Sequence, residues 1–260
     1  MTVGLDLEIT EGELSEFQNA PDVSFGPRLA YPTGAHYDYD IESQIIAAFV
    51  NFEWNLTEKT KLVTGIRGEK VNYEYKTNIQ PGTKGRIQVS PNRDDDFSEF
   101  SPKLAINHKI NDELAIFANY SRGNRAPQTT DLYRIQSKQI PGGAKSEKLD
   151  SLEIGLRGNF SIFNIELVGF DMSKDNYFFR DSQGFNVENG KTTHRGFEIN
   201  FLAEFNQFFQ IENSTSFAEH EYDFDHSPNG IKSGNQIDSA PELLANTRFI
   251  FTPREGTRIE

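Results

Sequence analysis

The sequence predicts an all-β chain, an antiparallel up-and-down transmembrane β-barrel. Three observations carry this reading. Strand-length runs alternate apolar and polar residues, the period a wall with one greasy face requires. The connections between the runs are alternately very short and long. Aromatics carry much of the apolar content, with 22 Phe and 9 Tyr among 260 residues.

Taken in order, the first run, "MTVGLDLEIT", sets Val3, Leu5, Leu7 and Ile9 on one face and Gly4, Asp6, Glu8 and Thr10 on the other. It has no basic segment, apolar stretch and cleavage site of a secretory signal, so the sequence places any export signal outside this chain. A long polar connection, 17–38, follows. "QIIAAFVNFEW" then alternates Ile46, Ala48, Val50, Phe52 and Trp54 with Ala47, Phe49, Asn51 and Glu53, and Trp54 stands beside a short turn at 56–60, where an aromatic girdle belongs. Beyond the long connection 75–97, "SPKLAINHKI" alternates Leu104, Ile106 and Ile110 with Lys103, Ala105 and Asn107, while His108 holds an apolar-phase position near the short turn 109–113. After 122–148, "DSLEIGLRGNF" alternates Leu152, Ile154 and Leu156 with Ser151, Glu153 and Arg157 up to the turn at 158–161. "FNIELVGFDM" is mixed on both faces. The long connection 174–192 leads into Phe197, Ile199, Phe201 and Ala203 against Glu198 and Asn200, with Leu202 breaking the polar face. A short turn at 204–207, the mixed strand "FFQIENSTSF", a long connection at 219–240 and a last short turn at 253–257 complete about 11 strands, both ends reading as strands cut through a sheet.

Asn, Asp and Gly in most of the short connections suit tight hairpins. Connections of about 20 residues are uncommon in compact soluble domains, and their repetition on one side argues for function there. Alternation alone fits a soluble β-sandwich equally well, because it reports one buried face and not what buries it.

Composition excludes several classes. No apolar run approaches the roughly 18 residues of a membrane helix, and mean hydropathy is -0.61. The absence of Cys removes disulfides and thiolate metal sites, and a net charge of -13 opposes nucleic-acid binding. No Gly-x-Ser-x-Gly elbow, His-Glu-x-x-His helix or phosphate loop is present, so no catalytic residue and no cofactor is expected. His220, Asp223, Asp225 and His226 in "HEYDFDH", and Asp94, Asp95 and Asp96 in "RDDD", lack a recognisable ligand spacing and read as solvated loop charge, so no metal site is expected.

Four stretches resemble, in order, the TonB-dependent outer-membrane receptors: "SPKLAINHKINDELAIFANYSRGNRAPQTTDLY", with Arg122, Gly123, Arg125, Ala126 and Pro127 at its end, "SEKLDSLEIGLRGNF", "NVENGKTTHRGFEINF" and "SGNQIDSAPELLANTRFIFTP". "GLDLEITEGELSEFQ" is similar to a preceding barrel strand. The resemblance implies a single partial barrel domain over residues 1–260, about half of a barrel that has about 22 strands when complete, without the family's plug domain and C-terminal strands, in the outer membrane of a Gram-negative bacterium. It further implies uptake of a ferric siderophore or similar iron complex, with outer-membrane lipid and, through the plug segment, the TonB complex as partners. A passive porin or adhesin barrel and a soluble β-sheet binding domain remain as alternatives; haem, cobalamin and carbohydrate remain open as cargo. Ferric chelates are often anionic with flat, partly apolar ligands, so the candidate binding residues are cations and aromatics on the long-loop side. They are Arg122, Arg125, Tyr133 and Arg134 in one loop, Tyr177, Phe179 and Arg180 in the next, and Lys191 with Arg195.

Overall fold

The computed structural model of the chain describes residues 1–25, 28–137, 139–180, 184, 186–227, 230–254 and 256–260. Its frame is one 11-stranded sheet of antiparallel neighbours. In chain order the elements are β1 (Thr2–Gln18), β2 (Val23–Phe25), β3 (Arg28–Tyr31), β4 (Gly34–Asn55), β5 (Thr60–Thr77), β6 (Gly82–Lys84), β7 (Ile87–Val89), β8 (Arg93–Lys109), β9 (Leu114–Arg125), α1 (Thr129–Tyr133), β10 (Ile135–Gln136), β11 (Glu147–Asn159), β12 (Phe163–Arg180), β13 (Asn186–Asn206), β14 (Phe209–Tyr222), β15 (Leu243–Arg254) and β16 (Thr257–Ile259). The large sheet runs β1-β4-β5-β8-β9-β11-β12-β13-β14-β15-β16, so every strand pairs with its sequence neighbour once the small loop strands are set aside. That is the up-and-down order of a barrel wall, here unclosed.

Register gives the wall its two faces, because directly opposed residues share a face. Leu5 opposes Ala48, Ala48 opposes Gly68, and Gly68 opposes Phe100. Farther along the sheet, Ile106 opposes Ala118, Ala118 opposes Ile154, Ile154 opposes Gly169, Gly169 opposes Phe197, and Phe197 opposes Phe217. Leu5, Ile46, Trp54, Ile66, Leu104, Ile154 and Phe197 on this phase stay exposed, forming an apolar belt without a covering layer. The other phase carries Asn51, Glu53, Lys103, Glu153, Arg157, Glu198 and Asn200. A soluble sandwich would bury the apolar phase against a second sheet; no second layer stands there among the described residues.

The short turns close by side-chain chemistry visible in their sequences. Asn111 Oδ1 accepts from the backbone N–H of Glu113 at 2.9 Å and Leu114 at 2.7 Å, and Asn206 Oδ1 does the same for Phe208 at 2.8 Å and Phe209 at 3.0 Å. His108, on the apolar phase, meets Thr60 Oγ1 across the strand pair at 2.9 Å through Nδ1.

At the opposite end, the long connections fold back over the polar face and, with the wall residues they cover, hold most of the buried apolar residues. Tyr37, Tyr39, Val71, Tyr73 and Tyr75 of the wall pack with Ile87, Val89, Leu132, Tyr133 and Ala144 from the connections. The Tyr133 ring stacks on Tyr75 at 4.3 Å and 12°, and β6, β7 and β10 form a three-stranded sheet of their own. The stretch expected as a long loop at 174–192 is mostly strand. Tyr177 opposes Gly190 and Phe179 opposes Val187, and Asn176, at φ 58, stands at the first of two register shifts in this pairing.

Candidate functional site

At the loop end of the polar face, a cleft of about 270 Å³ is lined by Tyr31, Tyr37, Phe178, Arg86, Arg134 and Arg180 among others. The three arginines face two carboxylates in the lining, Glu16 and Asp131. The Arg134 guanidinium meets Glu16 Oε2 through Nη2 at 2.7 Å and Nε at 2.8 Å, and lies 5.9 Å from the Tyr37 ring centroid. This contact raises the Arg134 pKa above its ordinary value, keeping the charge fixed. Arg86 Nη2 donates to the Gly184 carbonyl at 2.8 Å, Arg180 Nε to the same oxygen at 3.2 Å, and Gln136 Nε2 at 3.2 Å. Gly184 adopts φ +75, a backbone state costly for other residues, and so offers one carbonyl to three donors. Arg86 also lies 5.9 Å from the Tyr31 ring centroid. Guanidiniums braced against rings and carbonyls make a pre-organised, net positive, partly apolar cleft, the chemistry that suits a flat anionic ligand.

Behind the cleft, α1 is held by its own cap and by the tyrosine cluster. The Gln128 backbone N–H donates to Asp131 Oδ2 at 3.1 Å. Burial raises the Asp131 carboxyl above its ordinary pKa, against the opposing pull of that hydrogen bond and of Arg125. The Tyr133 hydroxyl donates to Asp95 Oδ2 at 2.8 Å, and burial, with the Asp95 carboxylate beside it, keeps that hydroxyl protonated. Arg93 holds the same carboxylate, Nε to Oδ2 at 2.6 Å.

The nine residues expected from sequence separate by face. Arg134 and Arg180 line the cleft, and Tyr133 lies in the tyrosine cluster behind it. Arg125 is on the polar phase, bound to Glu147 Oε1 at 3.1 Å, with Lys174 reaching Glu147 Oε2 at 3.1 Å. Tyr177 and Phe179 stack at 5.3 Å, and Phe179 continues the aromatic group to Tyr222 at 5.8 Å and Phe224 at 6.3 Å. Arg122, Lys191 and Arg195 instead share the phase of the apolar belt, at its loop-side margin. Arg122 Nη2 meets Asp150 at 2.8 Å, Arg195 Nε meets Asp171 at 2.8 Å and Lys191 Nζ meets Asp175 at 3.1 Å. Arg86, Tyr31, Tyr37 and Phe178 escaped the sequence reading, although "TKGRIQVS" carries a cation between Gly85 and an alternating apolar pair, Ile87 and Val89. The acidic candidates do not assemble: Asp223 and Asp225 each bind Ser233, and among the described residues no three of His, Asp and Glu gather as a metal-ligand group.

A family model described as TonB dependent receptor-like, beta-barrel matches residues 2–256. No curated protein matches the sequence. The chain is similar to the ferric yersiniabactin uptake receptor FyuA from Yersinia pestis at 14% identity and TM-score 0.70, over 96% of this chain and 36% of that one. It is similar to the ferric citrate transporter FecA, in its unliganded form, at 16% identity and TM-score 0.73, over 96% of this chain and 36% of that one. It is also similar to the ferripyoverdine receptor of the outer membrane of Pseudomonas aeruginosa, at 15% identity and TM-score 0.63, over 98% of this chain and 33% of that one. The chain thus spans about a third of the length of these structures.

Proposed function

Because this chain belongs to the TonB-dependent receptor-like β-barrel family, we propose that it is wall and loop structure of an outer-membrane receptor that takes up an anionic ferric chelate. Residues 1–260 act as one partial barrel domain in a Gram-negative outer membrane, its apolar belt against lipid. A plug segment elsewhere in the receptor couples it to TonB, and no covalent step is required. The similar structures support the cargo class, since they are receptors or transporters of ferric yersiniabactin, ferric citrate and ferripyoverdine. A passive pore would have little use for a charged, aromatic-braced cleft at the loop end.

The observation that carries the cargo reading is the convergence of Arg86, Arg134 and Arg180 beside Tyr31, Tyr37 and Phe178. Arg125, on the polar phase, and the stacked pair Tyr177 and Phe179, which flank Phe178 in the same strand, are proposed as secondary contacts. Arg122, Lys191 and Arg195, on the belt phase and already paired, are assigned to the wall margin. The test is binding of ferric citrate and of ferric catecholate and hydroxamate chelates to the full receptor in detergent. Arg134→Gln and Arg180→Gln should each weaken the bound chelate about tenfold or more, as expected for losing a charge-assisted contact of about 1.5–3 kcal/mol, while Arg122→Gln should leave it unchanged. Equal losses in all three variants would remove the cleft as the binding site.

A further inference from the structure

We propose that the polar face carries a transition-metal site formed by His194 and His220 with Met172 as third ligand, selective for copper over zinc and nickel. The three residues form one row across three strands: Met172 of β12 is directly opposite His194 of β13, and His194 is directly opposite His220 of β14. They alternate with Asp171, Arg195 and Glu219, which lie on the phase of the apolar belt, so all three project from the polar face.

The imidazoles turn their Nδ1 atoms toward each other at 2.8 Å, with ring centroids 5.1 Å apart and planes at 59°. A neutral imidazole carries a single N–H, so this contact places one proton between two nitrogens. A metal ion replaces that proton with the donor separation kept, since two metal–nitrogen bonds of about 2.0 Å at a right angle set their donors about 2.8 Å apart, and each ring turns so that its Nδ1 lone pair points to the metal beside the nitrogen–nitrogen line. The distant nitrogen of His194 is already engaged, Nε2 lying 3.0 Å from Thr192 Oγ1, and Thr192 is buried. With Nε2–H donating to that hydroxyl, the His194 Nδ1 lone pair is fixed toward the site, the outer-shell arrangement that orients metal-bound histidines. His220, which donates through Nδ1 in the free pair, shifts to its Nε2–H tautomer on binding, and no net proton is released.

The surroundings carry little opposing charge. Toward the belt the next polar-phase row is Phe170, Gly196 and Ala218, with the tip of the Phe170 ring over Gly196 and the small Ala218 next to His220. Lys174, opposite Thr192 in the row on the loop side, is held by Glu147 at 3.1 Å. Two imidazoles with one thioether form a borderline-to-soft donor set; the divalent affinity order peaks at Cu2+, and a thioether also accepts Cu+. The site is separate from the arginine cleft and does not depend on its reading.

The experiment is equilibrium dialysis of the full chain in detergent against Cu2+ alone, and against Zn2+ alone, with electron paramagnetic resonance of the copper-loaded sample. The expected result is one Cu2+ per chain with coupling to imidazole nitrogen, and weaker Zn2+ binding. His194→Gln and His220→Gln should each lower Cu2+ affinity at least tenfold, whereas His108→Gln, at the turn end of the wall, should not. Met172→Leu should spare Cu2+ within about threefold and weaken Cu+ binding under ascorbate. Far-UV circular dichroism identifies variants that keep the strand content of the parent. Copper binding undiminished in the His194→Gln/His220→Gln double variant would overturn the proposal, as would no Cu2+ binding by a parent chain with its strand spectrum intact.

Discussion

Tyr133 concentrates several of the forces that hold the loop end together. Its ring stacks on Tyr75 and its hydroxyl reaches Asp95, so a single side chain fastens α1 to the strands. Tyr133→Ala should cost about 3–5 kcal/mol of local stability, and Tyr133→Phe only about 1 kcal/mol, because Arg93 still satisfies Asp95. Hydrogen exchange over 126–146 reads both, and equal protection in the two variants would remove Tyr133 as the fastener. Asp131 adds a pH dependence. Burial raises its carboxyl pKa in the docked state, so docking is favoured fully below the ordinary carboxylate pKa and that gain is lost as pH rises through the raised value. Protection of α1 should therefore fall with rising pH across that window in the parent and stay flat in Asp131→Asn. At this scale the sequence showed residue chemistry better than placement. Arg195 became a candidate through its charge and its place near the long-loop side, while counting back two residues from Phe197 sets it on the belt phase. Arg134 and Arg180, which line the cleft, stand in the sequence where cation and aromatic come together, in "LYR" and "YFFR".

Between strands, register imposes a conflict that the sequence of any one strand conceals. Glu11 opposes Glu42, Glu42 opposes Glu74, and Glu74 opposes Asp94, four carboxylates in one row on the belt phase, beyond the belt. Lys76 reaches Glu74 at 2.5 Å, and Gln44 Nε2 donates to Glu42 at 2.7 Å, but Glu42 stands between two like charges. Opposed like charges destabilise a sheet, so Glu42→Gln should raise stability by about 0.2–1 kcal/mol. The gain should shrink as salt is added, because exposed charges are screened. Denaturant midpoints of parent and variant at low and high ionic strength measure this, and a gain independent of salt would refute the electrostatic origin. The hairpin turns were readable because Asn111 and Asn206 close them through local backbone contacts. The connection at 174–192 was not, because its polar composition resembles a loop while strand pairing and a one-residue bulge at Asn176 are settled by the partner strand.

For the molecule as a whole, alternation and loop asymmetry were enough to foresee a single wall of about 11 antiparallel strands. They could not foresee the tyrosine cluster, because its contacts join positions far apart in sequence: the Tyr37 hydroxyl donates to the Ile135 carbonyl at 2.6 Å, 98 residues away. No local pattern records such a meeting. The wall reading makes a direct optical prediction, since Trp54 is the sole Trp, lies half exposed on the belt phase and sits next to a short turn. In bilayers of the full receptor, lipids brominated near the headgroup should quench its fluorescence more than lipids brominated near the chain ends. Absence of quenching by either would place Trp54 away from lipid. The inward folding of the connection after β9 also decides what can be grafted there. Leu132, Tyr133, Ile135 and Gln136 are enclosed by the wall and tolerate no added chain, whereas Ile140 stands 73% exposed. An epitope tag or fluorophore attached at Ile140 remains accessible to antibodies in the folded protein without prying the helix from its tyrosines.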